Sequence, residues 1–122
     1  MKKQLVTIAI MLGAAIPAKA DETGLASIHE WKKESGRRIC MAEHFHDGAG
    51  SGKTRKEAEA AAKASWASFT AFEYGSNWGR YDLAASKKLD CVQNANGWSC
   101  ATTARACKRD GGVVKAKGRP AG

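Results

Sequence analysis

Three stretches of the chain carry the residue types best able to do chemistry. His44-Phe45-His46-Asp47 sets two imidazoles at alternate positions, on one face of a strand. That spacing can chelate Cu(II), Ni(II) or Zn(II) when a third ligand arrives from elsewhere, and Asp47, His29 and Met41 are the candidates. The plainer alternative is a pair of surface histidines with no ion. Gly50-Ser51-Gly52-Lys53-Thr54 leads into a helix, so the amides and side chains of Lys53, Thr54, Arg55 and Lys56 could seat an anion. A nucleotide loop is excluded: the pattern G-x-x-x-x-G-K-[ST] needs a glycine where this chain has Asp47, whose carboxylate would repel a triphosphate. The four cysteines, Cys40, Cys91, Cys100 and Cys107, contain no C-x-x-C, which argues against a thioredoxin-like redox centre or a zinc ribbon. No catalytic residue is assigned, because the Ser and Cys side chains lack a motif context and no paired carboxylates stand out. The expectation is binding rather than catalysis, with a transition metal as the one cofactor to consider.

These residues need elements to position them, and the main one is a long amphipathic helix. Thr54 and Glu57 form a T-x-x-E capping box, which starts the helix at Arg55, and Gly75 stands where a left-handed C-cap would end it. At about 100° per residue, Ala58, Ala61, Ala62, Ser65, Phe69 and Phe72 share one arc, with Trp66 on its flank and Lys56, Glu59, Lys63 and Thr70 facing elsewhere. That arc is the predicted buried face. Ser27 to Ser35 reads as a strand turning at Ser35-Gly36, with a short S-x-x-E-capped helix as the alternative. Arg38 to His46 is a strand with Ile39, Met41, Glu43 and Phe45 on one face and Cys40, Ala42, His44 and His46 on the other. Mixed polarity on both faces points to an edge or terminal strand.

Beyond the helix, Ser76 to Arg80 is a loop, and Trp78 and Tyr81 are the aromatics expected to lie outside the core. Tyr81, Leu83, Ala85, Leu89 and Cys91 share strand parity, Asn94-Ala95-Asn96-Gly97 is a turn, and Trp98 to Cys107 is a further strand. This register sets Gln93 opposite Trp98 and Cys91 opposite Cys100. It makes Cys91 and Cys100 a cross-strand disulfide candidate, leaving Cys40 for Cys107, although four cysteines permit three pairings. The fold class is α+β: one long amphipathic helix packed on a small antiparallel sheet of three to four strands, disulfide-stapled, in a single domain from 21 to 107.

Met1 to Ala20 reads as a secretory signal peptide: Lys2 and Lys3, an apolar run from Leu5 to Ile16, then the small-residue site Ala18-Lys19-Ala20. The apolar run is shorter than the roughly 18 residues that span a bilayer. A periplasmic or secreted location follows, and in that oxidising space two disulfides are the default. The net charge is +8, and of the 20 Lys and Arg three (Lys2, Lys3, Lys19) lie in the signal, leaving 17 against 12 acidic residues. Much of that excess sits in a predicted flexible tail, 108 to 122, with Lys108, Arg109, Lys115, Lys117 and Arg119 against Asp110. The tail would meet an anionic envelope component, lipid or glycan, or simply solubilise the protein. Another envelope protein is the remaining partner class.

Gly50-x-Gly52-Lys53-Thr54-Arg55-Lys56-x-Ala58, with Ala61 and Ala62, resembles the last helix of a double-stranded RNA-binding domain, whose helix N-terminus grips phosphates across the groove. The likeness covers about a fifth of the chain, and Asp21 to His46 is too short for that family's first helix and three-stranded sheet, so it reads as convergent capping. No nucleic acid is expected. From Gly50 to Cys107 the Ala-spaced helix, the Tyr-Gly step, the tryptophans and the late cysteines resemble small uncharacterised exported proteins of Gram-negative bacteria. That resemblance implies an envelope location and brings no activity with it.

Overall fold

A computed structural model describes residues 21–111 and 119–120. The predicted signal segment and the tail residues Lys115 and Lys117 lie outside the described residues. The chain forms β1 (Glu30–Glu34), β2 (Arg38–Gly52), α1 (Arg55–Tyr74), β3 (Ala85–Asn94), β4 (Gly97–Arg109) and the two-residue β5 (Arg119–Pro120). The four longer strands make an antiparallel sheet in the order β3-β4-β2-β1, and β5 adds in parallel beside β1. One helix packs on this sheet, the expected α+β architecture. Among the described residues, no helix is long and apolar enough to cross a membrane.

Local signals place the ends of α1. The Thr54 hydroxyl accepts from the Glu57 amide at 3.1 Å, and the Glu57 carboxylate reaches back one residue further than expected, to the Lys53 amide at 3.0 Å. Gly75 has φ +109, and an added Cβ there would lie 2.2 Å from the Asp21 carbonyl oxygen, so glycine is needed for both conformation and space. The buried face is rotated from the predicted arc. Ala58, Ala62, Trp66, Thr70 and Tyr74 are buried, whereas Ser65, Phe69 and Phe72 are exposed. Trp66 replaces the two phenylalanines as the core aromatic because its indole N–H finds the Ala104 carbonyl at 3.3 Å.

The stretch Gly48-Ala49-Gly50-Ser51-Gly52, expected as a lead-in loop, is the second half of β2 and pairs with β4 as far as Gly52 opposite Trp98. β2 is therefore a central strand, not an edge or terminal one. Gly48, Gly50 and Gly52 fall on its helix-facing side, and a Cβ on any of them would come within 2.6 Å of α1. Alternate glycines let the helix lie directly on the strand, facing Ala58, Ala61 and Ala62.

Ser27 to Ser35 divides into a 3₁₀ turn at Leu25–Ile28 and β1. Tyr81 to Leu83 is likewise a 3₁₀ turn, so β3 begins at Ala85. The Asn94 to Gly97 turn sets Gln93 opposite Trp98 and Cys91 opposite Cys100. Both disulfides, Cys91–Cys100 and Cys40–Cys107, are formed. The main core gathers Trp31, Ile39, Met41, Trp66, Tyr74, Trp78, Ala104 and Ala106 between sheet and helix. Trp78 is thus wholly inside, contrary to expectation, with its N–H 3.2 Å from a Glu22 carboxylate oxygen. Tyr81 is half-buried, its hydroxyl 2.8 Å from that of Thr102.

Lys108 and Arg109, assigned to the tail, are the last residues of β4, so the folded domain extends past Cys107. Lys108 is buried, with its ammonium 4.8 Å from the Trp31 ring centroid, 5.2 Å from that of Trp78, and paired with Glu22. An aromatic cage with a carboxylate lid is what makes an interior lysine tolerable. Arg119, also assigned to the tail, pairs through its backbone with Glu30.

Candidate metal centre

Register in β2 decides where the histidines go. Pairing with β4 jumps from Cys40 opposite Cys107 to Phe45 opposite Arg105, so β2 spends more residues than β4 on the same stretch. Such a bulge re-aims side chains. Strand parity flips across it: Met41 is buried before the bulge, and His46 is buried after it while Phe45 is exposed. The bulge is tied down by Arg105, which is itself buried. Its guanidinium donates to the Met41 carbonyl, to Glu34 at 2.7 Å and to the Ser86 hydroxyl at 3.2 Å. That contact holds the Glu34 carboxyl below its usual range.

The bulge delivers His44 and His46 to the C-terminal end of α1, where His29 arrives from the end of the 3₁₀ turn and Glu73 from the last helical turn. One ligand atom each from His29, His44 and Glu73 lie within 4.8 Å of one another. The rings of His29 and His44 stack at 4.4 Å with 23° between planes, and His44 meets His46 edge-on at 5.2 Å. His46 is sandwiched: Tyr74 stacks on it at 4.6 Å and Phe69 leans on it at 4.7 Å. All three histidines of the chain are gathered here.

Burial pushes the His29 and His46 imidazoles down from 6.5; the neighbouring His44 lowers both further, and Glu73 opposes the shift. Both are therefore held neutral near pH 7, the form that coordinates a metal. The Tyr74 hydroxyl is buried without a hydrogen-bond partner among the described residues, and burial together with Glu73 pushes it well above 10. His44 is exposed, and His29 and Glu73 are partly so; His29 and His44 border a cleft of about 390 Å³ that Glu30, Ala42 and Glu43 also line. The cluster is thus reachable from solvent on one side and backed by aromatic rings on the other.

Of the residues singled out in the sequence, the structure brings His44 together with His29, one of the three candidates for a third ligand, and sets His46 beside them. Asp47 is exposed and follows His46 on the opposite side of the strand, and Met41 is committed to the core. Glu73 was not foreseen, yet one local signal pointed to it. A carboxylate in the last turn of a helix faces the negative end of the macrodipole, and α1 has no basic residue there to offset it.

The predicted anion seat at the other end of α1 is occupied by the protein's own acids. The Glu57 carboxylate takes the Lys53 amide, Arg55 pairs with Glu59 at 3.0 Å while lying 5.7 Å over the Trp98 ring, and Thr54 caps the helix. Lys56 is exposed. In comparisons with known proteins, no family model, curated protein or solved structure matches this chain.

Proposed function

We propose that this is a small exported protein of the periplasm or exterior that acts by binding, not catalysis, and that its ligand is a transition-metal ion held by His29, His44 and Glu73. The observation that carries the reading is the convergence of three ligand atoms, from a 3₁₀ turn, a strand bulge and a helix end, within 4.8 Å. Two imidazoles and a carboxylate are a borderline donor set, suited to Zn(II), Cu(II) or Ni(II) rather than to Ca(II) or Mg(II), which prefer all-oxygen shells. Two disulfides and no free cysteine among the described residues support folding in an oxidising compartment. They also leave no thiolate to compete for the ion.

Calorimetric titration of the chelator-stripped protein with Zn(II) tests this. A single ion per chain, with binding abolished in His44→Ala and Glu73→Gln, is the expected result. A protein that takes up no ion, or variants that bind as the parent does, would refute it.

A further inference from the structure

The three-residue set leaves the most buried histidine unexplained. His46 is 3% exposed, and its Nδ1 lies 2.9 Å from the Thr70 hydroxyl oxygen, which is itself fully buried. Its Nε2 is buried with no hydrogen-bond partner among the described residues and lies 3.6 Å from the Glu73 Oε2. When Nδ1–H donates to Thr70, Nε2 presents a lone pair toward a carboxylate oxygen, and a cation bound between the two atoms satisfies both. A ligating histidine is ordinarily fixed in this way, its second ring nitrogen donating to a neighbouring oxygen.

We propose, building on the metal-binding reading above, that His46 Nε2 is a fourth ligand and that His29, His44, His46 and Glu73 together close a tetrahedral site selective for Zn(II) geometry. Zinc bonds of about 2.0–2.1 Å in a tetrahedron set neighbouring ligand atoms about 3.3–3.4 Å apart. The 3.6 Å between Nε2 and Oε2 is already close to that edge. His46 and Glu73 are the fixed half of the site, one held by Thr70 and packed by Tyr74, the other on a helix turn whose carbonyls are tied by Thr23. His44 is exposed on the bulge and His29 ends a short turn, so these two rings are the half that unstacks and closes over the ion. Four protein ligands leave no open position for water or substrate, which is the coordination of a zinc held as cargo or as a staple rather than as a catalyst.

Electronic spectra of the Co(II)-loaded parent protein test the geometry without a substitution. The intense d–d bands of four-coordinate Co(II) are expected. The weak bands of a five- or six-coordinate ion would overturn the proposal while leaving the three-ligand site standing. His46→Gln should weaken Zn(II) binding by more than the roughly 10- to 100-fold that loss of an outer-sphere partner costs, and should change the Co(II) band positions as water replaces the imidazole. A milder loss with the spectrum retained would make His46 a positioning residue for Glu73 and overturn its role as ligand. Failure of the parent to bind either ion would instead overturn the site itself.

Discussion

Gly50→Ala sets two known effects against each other, and the structure says which wins. Gly50 has ordinary extended backbone, so alanine adopts its conformation freely, and on chain entropy alone the change would stabilise the protein by about 0.4–1 kcal/mol. The new methyl carbon, however, would sit 2.4 Å from the Ala61 Cβ and 2.5 Å from the Ala61 carbonyl carbon and the Ala62 amide nitrogen. Non-bonded carbons settle about 3.5–4.0 Å apart, so α1 would have to withdraw by about 1 Å. Backbone does not yield as a flexible side-chain tip does, and overpacking of this kind costs about 1–3 kcal/mol. The net expectation is a loss of about 1–2 kcal/mol, with each kcal/mol worth about 4–8 °C in a domain of this size. Urea unfolding followed by the fluorescence of the tryptophans, of which Trp31, Trp66 and Trp78 are buried, measures it, with exposed Ala49→Ser on the same strand as the control. A Gly50→Ala protein as stable as its parent, or more so, would show that the glycine stripe is not what seats the helix on the sheet.

The two disulfides should differ in weight. Their sequence separations of 67 and 9 residues translate, by loop-closure entropy, to about 4.4 kcal/mol for Cys40–Cys107 and about 2.6 kcal/mol for Cys91–Cys100. Paired Cys→Ala variants compared by urea unfolding should fall in that order, and equal losses would refute the estimate. In the presence of chelator, stability should also depend on pH through the buried histidines. Burial lowers the folded-state pKa of His29 and His46 below 6.5, so between that value and the folded pKa the unfolded chain binds more protons. Their contribution is full above pH 6.5 and is lost as pH falls through the folded values. The charged groups that act on His46 are Glu73, His44 and His29 beside it and Asp47 across the strand, of which the two acids oppose the shift. A stability curve flat between pH 7 and 5, or one unaltered by His46→Gln, would contradict this account.

What the sequence determined on its own was local. A capping box places the start of α1, a four-residue turn sets the β3–β4 register and with it Cys91 against Cys100, and the even cysteine count left Cys40 for Cys107. Each rests on interactions between residues a few positions apart, which the chain carries wherever it goes. The helix face was misread because several arcs of α1 hold comparable apolar character, and the choice among them belongs to the sheet. Alternate glycines on β2 and the Ala104 carbonyl favour Ala62 and Trp66 inward and leave Phe69 and Phe72 outside. The strand parity of His46 was misread for a related reason, since the bulge that flips it is held by Arg105, a residue far along the chain. Lys108 looked like tail until two tryptophans and Glu22 closed around it. The same holds for the candidate metal centre: the histidine spacing was legible and His29 stood among the candidate partners, but the choice of His29 over Asp47 and Met41, and the arrival of Glu73, were not. His29, His44 and Glu73 come from three elements whose approach is fixed by packing, and no pattern along the chain records a distance set by the fold.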